Sequence, residues 1–598
     1  MVPSAFIALD KLPLSGNGKV DRRALPEPEH AQPDESFEGA RNEKEQLLAD
    51  VWGRVLGVER VGIHDNFFNL GGDSILAIRI ASKSSEAGLR LTADKFFQYP
   101  TIAELVEVAG KQQEVEAEQG AVTGRGPLTP IQHWFFEQEH ADLNHWNQAV
   151  MLEVDDDLDS DSLMKAVAAI VEHHDALRMR VRRDASAGWV QEFAALEQSE
   201  VVEEVDLSGA EQEMQRAAIE EQAERWQRRV NIEVGPVMRV GVMRLGEGRG
   251  GRVMVVIHHM AVDGVSWRVM LADMEKGYEQ AMRGEQIRLG AKTTSYKRWG
   301  EKLEEYAKSE ELKGEARYWE EEASKDVRSI PVDYEGGRER NEVRSARSVR
   351  RELSKEETRE VLQEVGKAYK TEIGEVMMCA MAEAIGEWTG ERRVRVEMEG
   401  HGREEIGEGI DVSRTVGWFT SIFPVVFDIR EANDLGESLK RIKEQMRRIP
   451  RRGVGYGALK YLSRDEQIKR RMQSFPQAEI SFNYLGQLDE ILLNSSLYSP
   501  AQESCGSMYS PDEKRRYLIN IFGSVIGRQL NLIWEYSSEL HSQSTIEQLA
   551  DATVESLRSI IAHCTSSVAG GYTPSDFPLA ELDQDELDQA FGKVEFED

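Results

Sequence analysis

Residues 251–282 constrain the fold more than any other stretch of the chain. They read "GRVMVVIHHMAVDGVSWRVMLADMEKGYEQAM". An unbroken apolar run of Val, Met and Ile is the pattern of a strand buried on both faces. It delivers His258 and His259 at its end, Asp263 and Gly264 make a turn, and Trp267, Leu271, Met274 and Tyr278 then follow at helical spacing. Strand, turn and helix in this order predict an α/β architecture. Further strand-like runs ("EISFNYL", "LNLIWEY") and amphipathic helices over 161–173 and 542–563 extend the pattern from 126 to about 566. That length predicts two lobes, with a junction near 300.

At 598 residues the chain exceeds one hydrophobic core, so several domains are expected. Residues 1–26 end in "LPLSGNGKVDRRALP", and 27–38 read as a polar, proline-containing linker. Residues 39–112 form a small helical unit: Leu47/Leu48, Val51/Trp52 and Val55/Leu56 mark a first helix, a second runs from Ser74 to near Gly88, and a last starts after Pro100. A second linker covers 113–125, and 567–598 read as an acidic connector toward a further domain. The 74 basic against 107 acidic residues leave a net charge of −33, which argues against general affinity for nucleic acid or an anionic membrane. Three scattered cysteines without metal-ligand spacing, no apolar run of transmembrane length and no secretion signal predict a cytoplasmic protein.

Two stretches carry the chemistry. In "DNFFNLGGDSILAIRIAS", Gly71 and Gly72 permit a tight turn and Ser74 opens a helix, where free backbone N–H groups favour a phosphodiester. Taken alone, Ser74 also reads as a plain helix-capping serine. "FFNLGGDSILAIRI" with "FFQYPTIAELVE" resembles the peptidyl carrier domains of nonribosomal peptide synthetases. The resemblance implies an all-α four-helix carrier fold and a 4′-phosphopantetheine arm on Ser74, installed by a phosphopantetheinyl transferase. Asp73 matches the carrier variant that precedes an epimerisation domain. The first 26 residues resemble the end of an adenylation domain, whose catalytic lysine matches Lys19. The rest of that upstream domain is not in this sequence. Lys19 is therefore expected to be vestigial here, with no amino-acid-dependent ATP–pyrophosphate exchange.

The second stretch is the HHxxxDG of residues 258–264. A histidine pair alone is weak evidence, and a metal reading needs further converging ligands that spacing cannot supply. His173-His174 reads as structural. With "LTPIQHWFFEQ", "EGHGRE", "RTVGWFTSIFP", "RRGVGYG" and "AEISFNYLGQL" in order, the large region resembles the epimerisation domains of the condensation-domain superfamily. The resemblance implies two chloramphenicol-acetyltransferase-like lobes with a tunnel for the carrier's arm. It also implies conversion of an L-configured aminoacyl or peptidyl thioester to D, and a downstream condensation domain accepting a D-configured donor. Moving an α-proton between faces wants two protic groups with pKa values near neutrality. His259 and Glu399 are the candidates, with Glu399 favoured as the base that takes the L-substrate's proton. His258 goes to packing, and Asp263 fixes the loop by pairing with an arginine. Asn483 and Tyr484 are candidate donors to the enolate oxygen or substrate amide, and Trp134 and Trp418 are packing residues. The competing readings are a peptide-bond-forming condensation domain and a non-catalytic carrier on a scaffold.

Overall fold

The computed structural model describes residues 37–577 apart from 112–116, 187, 197–200, 488–494 and 567–568, with scattered positions from 580 to 589. Lys19, the stretch 1–26 and half of the C-terminal connector lie outside the described residues.

The carrier region holds helices α1 (Glu43–Leu56), α2 (Ser74–Glu86), α3 (Ala93–Gln98) and α4 (Ile102–Val108). Asn42 caps α1 by accepting from the backbone of Lys44 and Glu45, and a Thr101–Glu104 capping box opens α4. The apolar stripe of α1 places Leu48, Trp52 and Val55 against Phe67, Ile80, Phe96 and Leu105, all buried. The Phe67 ring runs beneath the Gly-Gly turn, where a Cβ on Gly72 would lie 2.5 Å from it. Only glycine leaves room for this ring under the loop that presents Ser74.

The first lobe is built on strands β1 (Asn147–Val154), β2 (Val202–Asp206), β3 (Met238–Arg244) and β4 (Gly251–His258). After the short helix α5 (Pro130–Phe136), helix α6 (Ser160–His173) lies against this sheet, α7 (Gln212–Gln227) covers its opposite face, and α8 (Gly264–Met282) packs beside α6. β4 shows why its run is unbroken. Val253, Val255 and Ile257 enter the core shared with α6 and α8, while Met254 and Val256 meet Trp226 and Ile219 of α7.

The second lobe is a six-stranded mixed sheet of β5 (Ala346–Glu352), β6 (Arg393–Gly400), β7 (Ser421–Asp428), β8 (Ile480–Gln487), β10 (Ile519–Ile526) and β11 (Gln529–Ser537), where β9 is Ser499–Pro500. The order is β5-β11-β10-β8-β6-β7, with β6, β8 and β10 parallel. Helices α9 (Ile373–Thr389) and α10 (Gln543–Cys564) pack together behind it, α9 burying Met377, Met378 and Cys379 completely.

A single junction near 300 does not describe how the lobes are joined. β9 leaves the second lobe and pairs antiparallel with β1, completing the first lobe's order β9-β1-β4-β3-β2. The crossing continues to Tyr509, which bridges to Trp146, and Met508 accepts from the Asn147 amide at 2.8 Å. A two-residue strand without apolar alternation gave no periodic signal. Among the described residues no helix is long and apolar enough to cross a membrane.

Candidate active site

The β4–α8 turn is locked to the second lobe through Asp263, whose side chain caps α8 by accepting from the Ser266 amide and hydroxyl, each at 2.7 Å. The same carboxylate accepts from the Phe419 amide at 3.1 Å and from Arg403 Nη2 at 3.1 Å. Arg403 also donates to the carbonyls of Val412 and Thr415 at 2.6 and 2.8 Å. Asp263 thus has its acceptor positions filled by protein and is only 4% exposed, so it clamps the 411–419 loop. Arg403→Met would strand a buried carboxylate. It should cost about 3–5 kcal/mol of stability by urea unfolding, against little change for an exposed arginine such as Arg317.

The two histidines divide their tasks. His258 is fully buried, donates from Nε2 to the Leu143 carbonyl at 2.8 Å and accepts at Nδ1 from the Met260 amide. Burial pushes its pKa down to about 3, so it is a neutral packing group. His259 keeps accessible surface. Its Nδ1 lies 2.9 Å from the Val262 carbonyl, which can only accept, so the proton sits on Nδ1 and Nε2 presents a lone pair. That lone pair accepts from Gln148 Nε2 at 2.9 Å, and Trp267 Nε1 fixes the amide by donating to Gln148 Oε1 at 2.7 Å. Burial lowers the His259 pKa as well. The Trp418 ring lies 4.3 Å from the imidazole, centre to centre.

Glu399 comes from the other lobe, one residue before the end of β6. Asn483, its neighbour on β8, donates to Oε2 at 2.6 Å. Burial, and next the Glu397 carboxylate two residues back on the same face, push the Glu399 pKa up to about 7. The following turn is exacting: Gly402 has φ +66°, and a Cβ there would fall 1.7 Å from the Phe419 carbonyl oxygen. That close approach lets "EGHGRE" run from Glu399 straight into the Arg403 clamp. The clamp therefore joins the loop after Glu399 to the turn after His259. Asn483 thus reaches Glu399 with one of its two amide donors. Tyr484, the next residue, has its buried hydroxyl on the carrier side, within electrostatic reach of Asp73 and Arg268.

The carrier rests on this seam. Gln487 Nε2 donates to the Gly71 carbonyl at 2.9 Å, and the Arg452 guanidinium lies 3.6 Å over the Phe97 ring. Arg451 and Arg452 hold left-handed backbone, φ +42° and +49°, a strained presentation for two non-glycine residues. Asp73, not Ser74, caps α2: its Oδ1 accepts from the Ile75 and Leu76 amides at 2.9 and 2.8 Å. The plain-cap reading of Ser74 is thereby set aside, and its hydroxyl is left for other use at the helix start. Asp73 Oδ2, Arg268 Nε and Tyr484 Oη are buried here without a protein partner. A buried guanidinium and a hydroxyl beside Ser74 fit the anionic and polar portions of a phosphopantetheine arm.

Gln148, Arg403, Glu397 and Arg268 escaped the sequence reading because each acts through a partner far away in the chain. His173, His174 and Asp273 converge within 4.8 Å, but Asp273 is occupied by His174 at 3.0 Å and Arg414 at 2.7 Å, a cationic neighbour unsuited to a metal ligand.

Residues 122–582 match the family described as Condensation domain, and residues 46–109 the family described as Phosphopantetheine attachment site. A linear gramicidin synthase of Brevibacillus parabrevis is 45% identical over 99% of this chain, which spans 8% of that protein. Gramicidin S synthase 1 of Brevibacillus brevis is 39% identical over 99% of this chain, which spans 54% of it. The crystal structure of the epimerization domain from the third module of tyrocidine synthetase B is 35% identical, with a TM-score of 0.70, covering 75% of this chain and 99% of that domain. The carrier match brings a covalently attached 4′-phosphopantetheine with it. With the two domain families in this order, the chain belongs to the nonribosomal peptide synthetases, as a phosphopantetheine carrier joined to an enzymatic domain of the condensation superfamily.

Proposed function

We propose that the large domain is an epimerase that inverts the α-carbon of the group tethered to its own carrier at Ser74, with Glu399 and His259 as the acid–base pair. The observation that carries this is Glu399: a carboxyl held near pKa 7, linked by the Asp263–Arg403 clamp to the turn bearing His259. Peptide-bond formation asks for one base beside the amine and gives no role to a second titratable carboxyl. The 35% identity to a tyrocidine synthetase epimerization domain supports the same reading.

When bound, the arm supplies a thioester, which acidifies the substrate's α-proton. Arg268 and Tyr484 would hold the arm at the seam. Ionised Glu399 takes the α-proton, and the C–H pair becomes the enolate C=C as the carbonyl π pair moves onto the substrate's oxygen. Protonated His259 delivers a proton from Nε2 to the opposite face as the C=C pair forms the new C–H bond and the carbonyl is restored. Gln148 gives up its bond to that atom when the imidazole is protonated. The pair ends with its proton on Glu399, the state that runs the reverse direction. Asn483 steadies the carboxylate through the bond at 2.6 Å. An upstream adenylation domain would load the carrier, and a downstream condensation domain would take the D-configured product.

The pair works with one shared proton. Stereoinversion is therefore expected to peak below pH 7, between the lowered His259 pKa and that of Glu399. It should fall above about 7, as Glu399 loses its proton, and fall in acid, as His259 and Glu399 both fill. The direct test loads Ser74 with an L-aminoacyl-phosphopantetheine and places the chain in deuterated water without any acceptor. Deuterium at the α-carbon and drift to a D/L mixture are expected. An arm that keeps its proton and its L-configuration would refute the epimerase.

A further inference from the structure

The carrier meets the large domain a second time, away from Ser74. The start of α3 sets Asp94 on the loop 403–405, where the Glu405 amide donates to Asp94 Oδ2 at 3.4 Å. Asp94 and Glu404 both line a small gap between the two domains, with Ile78 and Leu91 on the carrier side and Ile410 opposite. Their carboxyl groups are hydrogen-bonded to one another. Two carboxylates cannot make that bond, since an ionised carboxyl only accepts. One of the pair must carry a proton.

The surroundings place that proton on Glu404. Glu404 is only 6% exposed, whereas Asp94 keeps more solvent and the Glu405 amide. His401 Nδ1 accepts from the Arg403 amide at 3.0 Å, which leaves the ring proton on Nε2, 3.2 Å from Glu404 Oε1. Burial, and next Arg452, hold the His401 pKa down to about 3, so this ring stays neutral. The nearby cations are engaged elsewhere. Arg452 pairs with Glu372 at 3.5 Å and covers Phe97, Arg451 meets Glu311 and the Glu405 carbonyl, and Arg403 is held by Asp263. Arg90 and Asp411, one of each sign, line the same gap. Burial pushes the Glu404 pKa well above its ordinary 4.5, and Asp94 adds to the shift against the pull of Arg452 and Arg451.

We propose that the carrier docks by sharing one proton between Asp94 and Glu404, and that rising pH releases it from this seat. Once the domains part, Glu404 regains water and gives its proton to solvent, and the two carboxylates then repel. Docking that raises a carboxyl's pKa takes up a proton. The docked state is therefore favoured in acid and weakens as pH rises past the undocked value near 4.5, by up to about tenfold per pH unit, until docked Glu404 has itself ionised. The test reads docking and not chemistry, so its failure leaves the epimerase reading standing. The full chain carries a fluorescence donor and acceptor on Glu59→Cys of the carrier and Arg317→Cys of the large domain, with the partly exposed Cys505 replaced by serine. Energy transfer is followed from pH 5.5 to 8, with unfolding midpoints checked alongside. The docked-to-undocked ratio should fall by about tenfold or more over that range. Asp94→Asn and Glu404→Gln each set a neutral donor against the remaining carboxylate, so each should flatten the profile and hold the carrier docked at pH 8. A flat native profile, or a slope that persists in either folded variant, overturns the shared proton.

Discussion

Glu399→Gln is expected to leave an L-aminoacyl arm uninverted, with stereoinversion slower by about 10²–10⁴-fold, the usual worth of a general acid–base group. Glutamine keeps the size of the side chain and its bond to Asn483, so a folded, inert protein is the predicted outcome. Its stability separates loss of chemistry from loss of structure. A folded pKa raised from 4.5 to about 7 means that the protonated form is the one folding favours. The penalty for burying the anion is absent below 4.5, grows through that interval and is complete above 7. At about 1.4 kcal/mol per pH unit this approaches ~3 kcal/mol, a ceiling because the side chain keeps some solvent contact. Glu399→Gln should therefore be more stable than the native chain at pH 8, by a margin that shrinks toward pH 5. A variant destabilised at pH 8, or still inverting at near-native rate, would contradict the assigned role. His259→Ala should lose a comparable share of the rate, without a stability gain above neutrality.

Ser74→Ala should take up no phosphopantetheine from coenzyme A and a phosphopantetheinyl transferase, where the native chain gains one arm by intact mass. Without the arm no substrate is presented, so the loss is all or none. The fold should barely notice, because Asp73 makes the capping bonds and alanine is a good first-turn residue. Asp73→Ala tests the complement. It should accept an arm yet cost about 1 kcal/mol through the lost cap. An arm on Ser74→Ala, or none on the native chain, would move the attachment point elsewhere.

The residues most legible in the sequence were those whose role is local. The run into His258 and His259 is read from period and composition, and so is the helix that follows Asp263. Ser74 stands out because two glycines and a helix start coincide within four residues. The partners that tune these groups lie far off: Gln148 is 111 residues from His259, and Asn483 is 84 from Glu399. No spacing rule connects them. Trp418 reads as packing because a tryptophan after a glycine has no signature for standing beside an imidazole, and the crossing strand β9 is too short to show alternation.

The crossing at β9 has a mechanical meaning. Two bodies joined at one point can swing apart like a hinge. Here the chain passes from the first lobe to the second near 300, goes back over at 499–509 and returns once more, stitching them along an edge. Rocking about that seam is the motion left to them, and wide gaping would require tearing β9 from β1. It also means that the halves are not separable pieces. A fragment ending near residue 330 would leave the rim of its sheet bare at β1 and the rings of Trp146 without Tyr509. Expressed alone, such a half should aggregate, and it should recover only when supplied with the segment that carries Ser499 to Tyr509.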